Sequence, residues 1–339
     1  MPWRGSRVRI PFPALLFSLF PVIDLHIDTF IWTERLDYRI EKRHRHIFGF
    51  TPFFNHFDIP RAVEGGLKIG GFGIVVPPYV RKKKERTLKT LSHIEGVLKG
   101  NPQLHLIKKR EDLDLNGKIG VILGIEGAHA IEGDLSMIPI LKEKGVRYFT
   151  LSHFTKTEFA SPSLRKRFRD EGLTKKGIQL VKELNRVGII IDLAHISYRG
   201  FFDAIENSEK PPFVSHTGVC GVKDMWRNLS DEQIKAIKEV GGIIGIIFYP
   251  YYLASIFSRN IDHLVRHIAY CAEKFGTDFI SIGSDFDGFI FSVPEGLEDV
   301  SKYQNLARAL LKAGFKEDEV KKIFYDNAFG FFASHLETN

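Results

Sequence analysis

The stretch TKKGIQLVKELNRVGIIIDLAH (174–195) decides the fold. Its first half reads as a helix: Thr174 is an N-cap, Ile178, Val181, Leu184 and Val187 form one apolar stripe, and Gly188 is the terminator. Its second half is a near-continuous Ile/Leu run, which suits a strand buried on both faces. The run stops on His195. A helix feeding a doubly buried strand is the repeating unit of a parallel sheet covered by helices.

The unit recurs along the chain. Comparable segments are PVIDLHID (21–28), IGGFGIVVP (69–77), KIGVILGIEG (118–127), VRYFTLSH (146–153), PFVSH (212–216), GGIIGIIFY (241–249) and FISIGSDFDG (279–288), which with 188–195 makes eight. SDEQIKAIKEVGG (230–242) repeats the helix design, with Ser230 as cap and Gly241 as stop. Eight strands alternating with helices predict an α/β protein, a (β/α)8 TIM-like barrel, as one domain over residues 21–339. A chain of 339 residues, 44% hydrophobic and 26% charged, can fill such a core.

Several strands end in polar groups: His26 and Asp28, Glu126, His153, His195, His216 and Asp285. In barrels of this kind the C-terminal rim carries the chemistry. His26 and Asp28, two apart on a strand, face the same side and can reach one point. Glu126 is the candidate bridge between two metal ions, because its two oxygens can each face one ion at about 2.0–2.2 Å. His26 and Asp28 would complete one ion's shell, and His195 and His216 the other's. Imidazole and carboxylate without thiolate favour two zinc ions, with cobalt or manganese as substitutes. Two ions about 3.5–4 Å apart can hold a water and present it as hydroxide to a carbonyl, so the reaction class is metal-assisted hydrolysis.

The totals exclude other classes. Cys220 and Cys271 allow at most one bridge and sit in no CxxC spacing, so this is neither a disulfide scaffold nor a cysteine zinc site. The net charge of +7 lies largely in short clusters, RIEKRHRH (39–46), RKKKER (81–86), KKR (108–110) and RKRFR (165–169). Without aromatic interleaving or a nucleic-acid motif these read as solvated surface, and no nucleic-acid partner is expected. Residues 1–20 read as an N-terminal extension, with a signal anchor as the alternative: two prolines break the apolar stretch and no small-x-small site follows. No other run approaches the roughly 18 apolar residues of a membrane span. A cytoplasmic location is expected.

Taken together, DLHID (24–28), GIEGAH (124–129), GVRYFTLSH (145–153), GLTKKGIQLVKELNRVGIIIDLAHIS (172–197), PPFVSHTG (211–218), the arginine of MWRN (225–228) and GSDFDG (283–288) resemble, in order, the membrane (renal) dipeptidase family of zinc peptidases and its microbial relatives. The resemblance runs from residue 21 to about 332. It implies a binuclear zinc barrel of the metal-dependent hydrolase type that hydrolyses dipeptides, with tolerance for a C-terminal D-residue. It also implies that His26 and Asp28 hold the first zinc, Glu126 bridges, and His195 and His216 hold the second. His153 falls where the family stabilises the oxyanion, and Arg227 matches the arginine that grips the substrate carboxylate, with Tyr252 assisting. Asp285 matches the carboxylate that relays a proton to the leaving amine.

The chain departs from the family at Leu25 and Ile27, which are expected to point away from the metal face, and in the basic SLRKRFRDEG region. Neither the membrane anchor nor the disulfides of the mammalian enzymes are expected here. Two rivals remain: a TatD-like DNase or other amidohydrolase-type enzyme, which typically opens with HxH where this chain has HxD, and a non-catalytic peptide-binding barrel. Homodimer formation is left open.

Overall fold

The stretch 174–195 folds largely as read. Thr174 accepts the Gly177 N–H and caps the helix Lys175–Val187, Gly188 closes it at φ +70°, and a strand follows at Ile190–Asp192. The fully buried face is Gly177, Leu180, Val181 and Leu184, while Ile178 and Val187 are half-buried at its margins. The expected stripe is therefore displaced toward Leu180, because the helix lies close enough to the chain at Phe159 to need a glycine: a Cβ on Gly177 would meet the Phe159 carbonyl oxygen at 2.1 Å. In the helix Asp231–Glu239, Ser230 and Gln233 form a reciprocal capping box, and Gly241 follows at φ +82°.

The computed structural model describes residues 20–46, 49–164 and 170–338. The N-terminal extension, save Phe20, and the RKRFR cluster lie outside the described residues. The strands are β1 (Val22–Ile27), β2 (Leu67–Val75), β3 (Leu104–Leu106), β4 (Ile119–Glu126), β5 (Val146–Thr150), β6 (Ile190–Asp192), β7 (Val214–Thr217), β8 (Ile244–Ile246) and β9 (Ile280–Ile282). Eight of them run parallel in the order β6-β5-β4-β2-β1-β9-β8-β7. The ring closes between β6 and β7 through the Asp192–Phe213 bridge, with Phe213 N–H donating to the Ile191 carbonyl and Leu193 N–H to that of Phe213. This is the expected (β/α)8 barrel. The ninth strand, β3, pairs outside the ring with β4. Unlike the equally short β6, β8 and β9, it lies in no longer apolar run, since charged Lys108, Lys109 and Arg110 follow almost at once, so the sequence does not reveal it.

Two apolar clusters hold the barrel. The larger joins strand residues such as Ile27, Val121 and Ile246 to helix residues such as Leu180, Phe201, Ile237 and Leu264. The smaller gathers Ile23, Ile69, Ile122, Ile190 and Phe213, near the N-terminal ends of the strands, with Phe331 and Phe332 of the last helix (Asn327–His335). Each such aromatic ring contributes about 1.5–3 kcal/mol by leaving water. The opposite, C-terminal end of the ring is left for the site.

One register shift matters there. Between Asp24 and Ile27, β1 gains a residue relative to β2, where Asp24 pairs with Gly70 and Ile27 with Phe72. Ile27 therefore lies in the outer cluster with Phe30 and Phe72, as expected. Leu25 does not: it is buried in the inner cluster with Ile23 and Ile69, beneath the metal face.

Candidate metal centre

Glu126 is the last residue of β4 and is 2% exposed. Four imidazoles converge on its Oε1: His195 Nε2 at 3.2 Å, His26 Nε2 at 3.5 Å, His153 Nε2 at 3.6 Å and His216 Nε2 at 3.8 Å. His26 Nε2 lies 3.3 Å from Asp28 Oδ1 and 4.0 Å from Asp285 Oδ1. The ring closure thus brings seven expected residues from six strand ends to one place. They form three overlapping groups whose donor atoms lie within 4.8 Å of one another: His26, Glu126 and His216; Glu126, His153 and His195; His26, Asp28 and Asp285.

Space for this cluster is made by bare backbone. A Cβ on Gly73 would stand 2.3 Å from Asp28 Oδ1, and one on Gly124 would strike the Tyr148 ring, whose hydroxyl is 3.4 Å from His26 Nδ1. His195 and Asp285 adopt φ +63° and +62°, values that a side-chain-bearing residue holds only when its surroundings impose them.

The electrostatics are those of a site built around positive charge. Burial alone would raise the Glu126 pKa, but His153, His26 and the hydrogen bond from His195 hold it well below the ordinary value. Burial, with Arg227 nearby, pushes His195 well down; burial, His26 and Arg227 do the same to His216. Asp28 is raised to about 6 by burial and by Glu126. His26 Nε2 and Asp28 Oδ1 are buried with no hydrogen-bond partner among the described residues. Orphaned polar atoms of this kind are costly unless something binds them, and an imidazole and carboxylate set without thiolate fits zinc.

The cluster forms the floor of a cavity of about 440 Å³. Asp28, Glu126, His153, His195 and Asp285 line the bottom, and Tyr79, Phe154, Tyr249, Tyr252, Phe289 and Phe291 stand in the walls. Arg227, although 3% exposed, lies in an adjoining cavity of about 250 Å³ with Ser163 and Trp226, and His195 borders both spaces. Its Nη2 donates to the His216 carbonyl at 2.9 Å, its Nε has no hydrogen-bond partner among the described residues, and its guanidinium is 5.9 Å from the centre of the Tyr252 ring.

Several supporting residues were missed in the sequence. Asp24, in the middle of β1, accepts the N–H groups of His26 and Ser284 and the Tyr303 hydroxyl. Asp192 closes β6, and Asp287 accepts the Thr29 hydroxyl and the His56 N–H. The signal was present, since a carboxylate inside an apolar run must be satisfied by buried donors. What it meets was not legible.

Four cations of the first two basic clusters are paired with acids at or near the surface. Arg39 pairs with Glu41, Arg43 with Glu64, Lys84 with Asp134 and Arg86 with Glu34. Among the described residues no helix is long and apolar enough to cross a membrane.

Comparison with known proteins gives one consistent result. The chain is 37% identical over 211 residues to an uncharacterised dipeptidase of Schizosaccharomyces pombe, covering 62% of this chain and 51% of that one. It is 34% identical over 209 residues to a dipeptidase of Claviceps purpurea, covering 61% and 49%. The chain thus spans about half the length of these curated relatives. A Rhodobacter sphaeroides metallopeptidase, solved with a phosphinate mimic of the dipeptide L-Ala-D-Ala, superposes with a TM-score of 0.83 at 26% identity over 94% of this chain and 100% of that one. With the sequence model of membrane dipeptidases matching residues 14–335, the chain belongs to the membrane dipeptidase family, peptidase family M19.

Proposed function

We propose that this chain is a metal-dependent dipeptidase that hydrolyses the peptide bond of small dipeptides, including those with a C-terminal D-residue. The observation that carries the reading is the convergence of four imidazole nitrogens on Glu126 Oε1, within 3.2–3.8 Å, on the floor of the cavity. Family membership and the dipeptide mimic bound by the Rhodobacter relative support the substrate class.

In this reading two zinc ions per chain, replaceable by cobalt or manganese, would be held by His26 and Asp28, by His195 and His216, and by Glu126 as the shared ligand. When bound, such ions would supply a water of lowered pKa and an electrophilic pull on the scissile carbonyl. The chain's other residues do the rest. His153, kept neutral by burial that lowers its pKa to about 4, has a ring N–H to offer the oxyanion as the carbonyl becomes tetrahedral. Asp285 is raised well above an ordinary carboxyl by burial, reinforced by Asp28 and Glu126 against His26 and Arg227. That environment suits its carboxyl to take up the proton that the attacking water gives up and to pass it to the leaving amine. Arg227 binds the free carboxylate through two parallel N–H bonds, with Tyr252 beside it. The walls are largely aromatic, with Arg35 as the one Lys or Arg among the described lining residues, which supports a small peptide rather than the many phosphates of a nucleic acid.

The test is release of free amino acids from a panel of L–L and L–D dipeptides by metal-loaded protein, chelated protein and Glu126→Ala, with single-stranded DNA alongside. Hydrolysis that requires both metal and Glu126 is expected. Silence on every dipeptide, with cleavage of the DNA, would instead assign the chain to the DNase class.

A further inference from the structure

Asp192 is a fully buried carboxylate with four donors aimed at it. Its Oδ1 accepts the backbone N–H groups of Ala194 at 3.0 Å and Ser215 at 2.8 Å. Its Oδ2 accepts the hydroxyls of Thr150 at 2.6 Å and Ser215 at 2.7 Å. The side chain thus ties β6 to β5 and, across the seam that closes the ring, to β7.

The next link gives this network a chemical direction. Ser215 Oγ is also 2.9 Å from His216 Nδ1. Ser215 has one hydroxyl hydrogen, and a carboxylate can only accept, so that hydrogen points to Asp192. The hydroxyl oxygen is then left to accept, and what it accepts is an Nδ1–H. A neutral imidazole carries one N–H, so His216 Nε2 keeps its lone pair. That atom faces His195 Nε2 at 2.8 Å and Glu126 Oε1 at 3.8 Å.

We propose that Asp192 is a positioning residue that, acting through Ser215, locks His216 in its Nδ1–H form and reserves its Nε2 lone pair for a metal ion. The metal part rests on the reading under Proposed function; the direction of the hydrogen bonds does not. Asp24 provides the comparison. Its Oδ1 likewise accepts an N–H two residues on (His26, 3.1 Å) and one from the segment after β9 (Ser284, 2.9 Å), and its Oδ2 accepts the Tyr303 hydroxyl at 2.6 Å. It braces β1 in the same way yet bonds to no imidazole ring.

The test uses the full metal-free chain labelled with 15N-histidine, because ring nitrogen shifts report which atom carries the hydrogen. The His216 signals are assigned by their loss in His216→Ala. The unaltered chain and Asp24→Asn are expected to show Nδ1–H. In Asp192→Asn the amide must keep its oxygen toward the two backbone N–H groups, so its NH2 donates to Ser215 Oγ. The serine hydrogen then turns to His216 Nδ1, and the ring hydrogen moves to Nε2. Zinc affinity, measured on the same proteins by competition with a chromophoric chelator, is expected to fall about 10–100-fold in Asp192→Asn. Ser215→Ala, which decides the matter if Asp192→Asn does not fold, is expected to lose the preference for one tautomer. An unaltered chain with Nε2–H on His216, or Nδ1–H retained in whichever of these variants folds, would overturn the proposal. An unaltered chain with Nδ1–H that binds no zinc would support the relay and overturn the metal reading.

Discussion

His195 Nε2 lies 2.8 Å from His216 Nε2 at the mouth of the β6–β7 seam. Burial pushes both rings well below the ordinary histidine pKa, so at neutral pH two uncharged imidazoles and the Glu126 carboxylate share one small volume. A bound cation satisfies all three at once.

Zinc is therefore expected to stabilise the folded chain. At a free concentration about 100 times the dissociation constant the gain is about 2.7 kcal/mol, read as a rise in Tm that a chelator reverses. Glu126→Gln should lose that response and most activity, by about a thousand-fold, since the carboxylate is shared by the whole donor set. A Glu126→Gln chain whose Tm still rises with zinc would refute the bridging role.

His153→Leu separates an oxyanion donor from a metal ligand. Its Nε2 stands 3.6 Å from Glu126 Oε1, a position open to either role. As a donor, its loss should lower kcat by about 100–1000-fold while leaving the metal content of the purified protein unchanged. Loss of one metal per chain would make it a ligand.

Arg227→Met removes the only cation proposed to meet the substrate carboxylate. Loss of a charge-assisted hydrogen bond of about 1.5–3 kcal/mol corresponds to a KM increase of about 10–100-fold. Dipeptides amidated at the C-terminus should be affected much less. Equal losses on free and amidated dipeptides would place Arg227 in a structural role, bracing the His216 carbonyl.

Acid sensitivity should be concentrated in a cluster away from the cavity. Arg61 bonds Asp58 at 2.7 Å and Asp299 at 3.0 Å, all three buried, and the half-buried His46 bonds Asp299 at 2.7 Å. Burial raises the Asp299 pKa, but His46, Ser301 and Arg61 outweigh it and hold the carboxyl below its ordinary range. A depressed folded pKa gives stability that is complete above the unfolded value of about 3.9 and is lost as pH falls toward the folded one. Asp299→Asn should cost about 3–5 kcal/mol at pH 7 by leaving Arg61 underpaired, and should flatten the loss of stability below about pH 4. Denaturant titrations of both proteins at pH 7 and pH 3 read the difference, and parallel pH profiles would refute it.

Local pattern was enough for the architecture. Periodicity and end signals such as Thr174, Gly188 and Ser230 act over a few residues, so they are legible without knowing what the chain packs against. The same holds for the strand-ending side chains, because a parallel barrel sends every strand's C-terminal end to one rim; His26, Asp28, Glu126, His153, His195, His216 and Asp285 do meet there.

What needed the tertiary structure is whatever depends on partners distant in the chain. Asp24 is satisfied by Ser284 and Tyr303, 260 and 279 residues away, and no window of sequence reports such a pairing. The register shift between Asp24 and Ile27, the left-handed backbone of His195 and Asp285, and the placement of Arg227 against the His216 carbonyl likewise belong to the folded chain. The sequence by itself determined which donors stand at the rim of the barrel. Only the closed ring decided which atoms of those donors face one another, because burial without water leaves each polar group to be oriented by the few others that reach it.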